Sequence, residues 1–213
     1  MPFSISAIAD VVEATLAAEA DRLEQEQSVT GLDGYDELGL HPILYAGLQQ
    51  EGYGVFAEQR YPSDRSIRNH SEGERCDLVL TPEGRPLAAP DREPTLFDPP
   101  DAVALGDAFW LEVKVVGQFT TDGPNPKYSS ALLSTAPRDL SKLSGDRRIT
   151  HAGLLIVLFG SDKEVVDHDL DACLSRFLDR RLPVGLPARR SLPISDRIGN
   201  GICACALLPV IGR

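Results

Sequence analysis

Two short apolar runs constrain the fold of this chain more than any other feature. Phe109-Trp110-Leu111-Glu112-Val113-Lys114-Val115-Val116 and, upstream, Arg75-Cys76-Asp77-Leu78-Val79-Leu80 are rich in β-branched and aromatic residues, which predicts two strands. Side chains on a strand alternate between its faces. Glu112 and Lys114 therefore share one face of the later strand, and Phe109, Leu111, Val113 and Val115 take the other as a core face. On the earlier strand Asp77 falls with Arg75 and Val79, opposite Cys76, Leu78 and Leu80. If the strands are neighbours, Asp77 and Glu112 come close enough to share a divalent cation, with Lys114 beside them.

The 213 residues suffice for one substantial core, so a single domain over residues 1–213 is expected. Apolar residues at helical spacing predict an amphipathic helix over Ile5–Glu26. A second helical pattern runs over Tyr35–Glu51, with Gly39 and Pro42 leaving its first turns unfixed. Tyr53–Glu58 reads as a first strand, and Gln59–Gly73 as a basic, polar connector. Residues 82–106, dense in Pro, Gly and Asp, are expected to form an irregular insertion. Tyr128–Leu143 reads as a helix broken at Pro137. The glycine-bounded run Leu154–Phe159 reads as a strand covered on both faces, and Lys163–Leu182 as a further helix. A Pro- and Arg-rich link then leads to a hairpin, Ile194–Ile198 and Ile202–Pro209, around Gly199-Asn200-Gly201. This order fits the α/β class, a central mixed β-sheet flanked by helices.

No apolar run approaches the ~20 residues of a membrane span, and Met1-Pro2-Phe3-Ser4 lacks the basic start of a secretory signal. A cytoplasmic protein without a membrane partner is expected. The net charge of −11 argues against electrostatic coating of nucleic acid but leaves room for a localised basic groove. Arg60, Arg65 and Arg68, then Arg138, Lys142, Arg147 and Arg148, and finally Arg180, Arg181, Arg189 and Arg190 are its candidate donors, although each cluster taken singly reads first as a solvated face. Cys76, Cys173, Cys203 and Cys205 fit neither a zinc pattern nor a disulfide framework and read as buried thiols.

The acid on the second strand and the Glu112-Val113-Lys114 triplet on the third, between the helices Tyr35–Glu51 and Tyr128–Leu143, resemble the PD-(D/E)XK, or restriction-endonuclease-like, nuclease superfamily. The resemblance spans about residues 33–160, with residues 1–32 as an accessory N-terminal helix and a helix plus hairpin added at the C-terminal side. It implies an αβββαβ core and hydrolysis of phosphodiester bonds, most readily in DNA, with Mg²⁺ or Mn²⁺. Asp77, Glu112 and the Val113 carbonyl would hold the metal, Glu37 would supply a further acidic ligand, and Lys114 would position the attacking water or offset transition-state charge. Two departures stand out: Arg75-Cys76 replace the proline that often precedes the first acid, and the insertion lengthens the step from Asp77 to Glu112.

Each residue also has a plainer reading. Glu112 and Lys114 alone could be a cross-strand ion pair worth a few tenths to about 1 kcal/mol. Glu37 in a first helical turn could simply complement the helix dipole. Glu58, His41 and His70 read as structural or surface residues, and Cys203-x-Cys205 as packing. The second class of function is therefore a catalytically inactive binding or assembly module on the same fold, and the sequence leaves open a homodimer or a partner protein.

Overall fold

The computed structural model describes residues 3–63, 74–89 and 99–211. Arg65, Arg68 and His70, and residues 90–98 of the insertion, lie outside the described residues. Helix α1, Ile5–Gln25, starts where the Ser4 hydroxyl accepts the Ala7 N–H at 3.2 Å, the usual role of serine at a helix start. Its apolar stripe of Ile8, Val12, Leu16 and Leu23 is buried. Helix α2, Glu37–Gln50, is capped by Asp36, whose carboxylate accepts the Gly39 N–H at 2.8 Å. Pro42 is inside α2 rather than at its start. A Cβ on Gly47 would fall 2.0 Å from Thr15 Oγ1, so glycine is what lets α1 and α2 approach this closely.

The strands β1 (Gly54–Arg60), β2 (Arg75–Thr81) and β3 (Phe109–Gly117) form an antiparallel meander. A small hairpin follows, β4 (Phe119–Thr120) with β5 (Gly123–Pro124). The chain then turns helical through α3 (Tyr128–Ser130), a π turn (Ala131–Thr135) and α4 (Ala136–Gly145). This crossover delivers β6 (His151–Gly160) parallel to β3, as a parallel neighbour requires. Helix α5 (Lys163–Asp179) and the strands β7 (Ala188–Pro193) and β8 (Ile202–Pro209) complete a six-stranded mixed sheet of order β1-β2-β3-β6-β8-β7.

Apolar cores lie on both faces of the sheet. Leu16 and Leu44 pack with Leu78, Leu111, Val113 and Leu155 on the α1–α2 side; Leu140 and Phe177 pack with Trp110, Leu154 and Ile156 on the α4–α5 side. β6 is thus covered on both faces, as its unbroken apolar run predicts. All four cysteines are free and buried, and no helix among the described residues is long and apolar enough to cross a membrane.

Two sequence expectations are corrected. The first strand of the terminal hairpin is Ala188–Pro193, within the supposed Pro- and Arg-rich link, and Ile194–Ile198 is loop. Arg189 and Arg190 are half-buried there and pair with Asp171 on α5 at 2.8 Å and with Asp10 on α1 at 2.6 Å, so the charge on that strand is satisfied by the helices on either side of the sheet. Pro137 does not break its helix. The backbone widens just before it, with the Ala136 N–H bonded to the Ala131 carbonyl, and this π turn shifts the hydrogen-bond register past the missing proline donor.

Candidate functional site

The ladder between β2 and β3 joins Leu80 to Phe109, Val79 to Trp110 and Leu78 to Leu111, and ends there. Asp77 would next face Glu112, but the strands part, and the Asp77 carboxylate instead accepts the Val113 N–H at 2.7 Å. On the other side of β2 the β1 ladder pairs Ala57 with Leu78 and Gln59 with Cys76 but omits the intervening Glu58–Asp77 pair. Glu58 there adopts a φ of 54°, a left-handed conformation that costs a non-glycine residue energy and is found where neighbouring structure enforces it. The alternation of β2 slips at the same point. Cys76 shares the α4–α5 core with Val79, whereas Leu78 and Leu80 lie in the other core, so Cys76 does not share their face as simple alternation predicts. β3 stays regular, with Glu112 and Lys114 on the side of Trp110 and Val116.

Glu112 is 5% exposed, and its carboxyl oxygen accepts a hydrogen bond from the Tyr61 hydroxyl. Tyr61 is itself stacked on Trp110 with ring centroids 5.6 Å apart. Burial, reinforced by the charge of Asp77, holds the Glu112 carboxyl well above the usual carboxylate range. Burial likewise pushes up the Cys76 thiol, with the charges of Glu112 and Asp77 adding to it.

Lys114 lies between two helices. Its Nζ is 2.9 Å from Glu37 Oε2 on α2 and 3.1 Å from Asp139 Oδ2 on α4. Burial alone would lower the Lys114 pKa, but hydrogen bonding to Glu37 and the charge of Asp139 outweigh it, so the ammonium is held charged. Lys142, one turn beyond Asp139, approaches that carboxylate at 3.5 Å and Glu74 at 3.8 Å. Its pKa is also raised: burial opposes the charged form, and Glu112, Asp139 and Glu74 overcome it.

Behind Lys114, Glu37, His41 and Asp77 bring one potential ligand atom each to within 4.8 Å of one another. Glu37 and His41 are four residues apart on α2 and project from one face. His41 Nε2 lies 3.9 Å from Asp77 Oδ1; it is buried and has no hydrogen-bond partner among the described residues. Four carboxyl groups, Glu37, Asp77, Glu112 and Asp139, thus crowd around two lysines. Among the described residues, the orphaned imidazole nitrogen and the excess of acids both fit a divalent cation, which would offset negative charge that burial makes costly.

All four side chains singled out in the sequence, Glu37, Asp77, Glu112 and Lys114, meet in this region, and Val113 enters it through the N–H that fixes Asp77. Glu112 is not one of the three groups in the 4.8 Å cluster. Sequence reading missed His41, Tyr61 and Asp139. The available signals were the Glu37-x-x-x-His41 spacing and the acid Asp139 one turn before Lys142. Compared with family models, with curated proteins and with solved structures, the chain matches none of them.

Proposed function

We propose that this chain is a divalent-metal-dependent phosphodiesterase, a nuclease acting on DNA with Mg²⁺ or Mn²⁺. The observation that carries this reading is the meeting of Asp77 and Glu112 where β2 and β3 part, with the charged Lys114 two residues further along β3. The succession α2, β1–β2–β3, α4, β6 agrees with the αβββαβ order of the PD-(D/E)XK superfamily. Asp77, Glu112 and Glu37 would hold the metal, which when bound supplies positive charge at the phosphoryl group and acidifies a water.

The protein's own contribution is positioning and fixed charge. Tyr61 fixes the carboxylate of Glu112, and the Val113 N–H fixes that of Asp77. Asp139 and Glu37 hold the Lys114 ammonium, which would donate to a phosphoryl oxygen or to the attacking water. The test is cleavage of plasmid and oligonucleotide DNA by purified protein with Mg²⁺ or Mn²⁺, stopped by EDTA and lost in Glu112→Gln and Lys114→Ala. Full activity in both variants would remove the assignment.

One observation favours the second reading, a binding or assembly module without activity. Lys114 is already paired with two carboxylates, a self-satisfied network that needs no ligand. On that reading divalent metal leaves the melting temperature unchanged and no nucleic acid is cut.

A further inference from the structure

We infer that Glu37, His41 and Asp77 form a mixed nitrogen–oxygen site whose imidazole selects a first-row transition dication of the Mn²⁺ class over Mg²⁺. This rests on the metal-binding half of the reading above and not on cleavage of nucleic acid.

The three ligand groups come from two rigid elements. Glu37 and His41 stand one turn apart on α2, a helix whose first turn is fixed by the Asp36 cap. Asp77 comes from β2 where the ladder to β3 ends, and the Val113 N–H at 2.7 Å restrains its carboxylate. The three ligand atoms all lie within 4.8 Å of one another, slightly wider than the donor shell of one ion. Donors about 2.1 Å from a common ion stand about 3.0 Å apart when adjacent in an octahedron and about 4.2 Å apart when opposite. The 3.9 Å from His41 Nε2 to Asp77 Oδ1 falls inside that range and is too long for a hydrogen bond.

His41 Nε2 is the second, independent sign. It is a buried nitrogen with no hydrogen-bond partner among the described residues, in a protein interior where such groups are normally satisfied. Its side chain is 14% exposed, equal to that of Asp77, so water has little access to replace the missing partner. Metal identity follows from the donor atoms. Mg²⁺ prefers a shell of carboxylate, carbonyl and water oxygens, whereas an imidazole nitrogen adds affinity for Mn²⁺ and the metals beyond it in the Irving–Williams order. Glu37, Asp77 and the neighbouring Glu112 offer only oxygen donors, so discrimination between the metals falls to the His41 nitrogen.

The test uses the full chain stripped with EDTA and titrated separately with MnCl₂ and MgCl₂ by calorimetry. Pulsed EPR of the Mn²⁺-loaded protein then reads ¹⁴N coupling to the metal. The expected result is Mn²⁺ bound at least about tenfold more tightly than Mg²⁺, with imidazole ¹⁴N coupling. In His41→Gln the coupling disappears and Mn²⁺ affinity falls at least about tenfold, while Mg²⁺ affinity changes by less than about threefold. His41→Ala gives the same pattern, and melting temperatures in EDTA verify that both variants fold. Mn²⁺ bound without ¹⁴N coupling, or equal losses for both metals, overturns the inference and leaves cleavage through Asp77 and Glu112 standing. Mn²⁺ with ¹⁴N coupling but no cleavage of any polynucleotide upholds the site and removes the nuclease reading. No binding of either metal overturns both.

Discussion

Glu112→Gln isolates the electrostatic cost of the buried acid. At 5% exposure and beside Asp77, Glu112 keeps its proton in the folded state at pH values where the unfolded chain, with an ordinary carboxylate pKa of 4.5, has lost it. The folded state then binds more protons than the unfolded one, so stability falls as pH rises from the unfolded pKa towards the raised folded one, by up to about 1.4 kcal/mol per pH unit. The substituted carboxamide keeps an acceptor for Tyr61 and a donor for Asp77 but has no proton to release. In EDTA the stability advantage of this variant over the wild type should therefore widen by up to about 3 kcal/mol between pH 5 and pH 7. Hydrogen bonding, chiefly to Arg22, to Arg197 and to the Val165 N–H respectively, lowers the pKa of Glu19, Glu24 and Asp162. These groups add stability above their unfolded pKa values and lose it in acid, but both proteins share them, so they cancel from the difference. Urea unfolding at half-unit pH steps provides the assay, and parallel curves for the two proteins would refute the reasoning.

Gly47→Ala places a methyl group against Thr15, whose hydroxyl is already bonded to the Val11 carbonyl at 2.7 Å. A loss of about 1–3 kcal/mol in urea unfolding is expected, part of it recovered in the double variant with Thr15→Ala. Asn200 is fully buried and joins Asp33, at 3.0 Å, to the Phe119 backbone, at 3.2 Å. Asn200→Ala strands both partners and should cost about 3 kcal/mol; a change below about 0.5 kcal/mol would contradict this bookkeeping. If the protein is the nuclease proposed above, Lys114→Met should lower the rate of DNA cleavage at least about 100-fold and leave intact the rise in melting temperature expected with Mn²⁺, as thermal shift assays would read directly.

The central strands were legible because their chemistry is local. The alternation in Phe109–Val116 needs only neighbouring residues to be read, and it places Glu112 and Lys114 correctly on one face. The Asp77 strand was harder to read. Its alternation slips between Cys76 and Leu78, a distortion shared with the left-handed Glu58 on β1, and no local pattern encodes a mismatch between two strands. Arg189 and Arg190 hid β7, because a strand whose charges pair with α5 and α1 reads like a solvated link until those helices are in place. Pro137 suggested a helix end that one π turn avoids. Of the site, Glu37, Asp77, Glu112 and Lys114 announced themselves by residue type. His41, Tyr61 and Asp139 did not, because their importance comes from contacts across 36, 51 and 25 positions of sequence, to Asp77, Glu112 and Lys114 respectively.

A crystal soaked in MnCl₂ and measured at the manganese edge puts the account to its most direct test. The expected result is one strong anomalous peak within coordinating distance of an Asp77 carboxylate oxygen. Well-diffracting crystals with saturating Mn²⁺ and no peak within about 3 Å of Asp77 would contradict it.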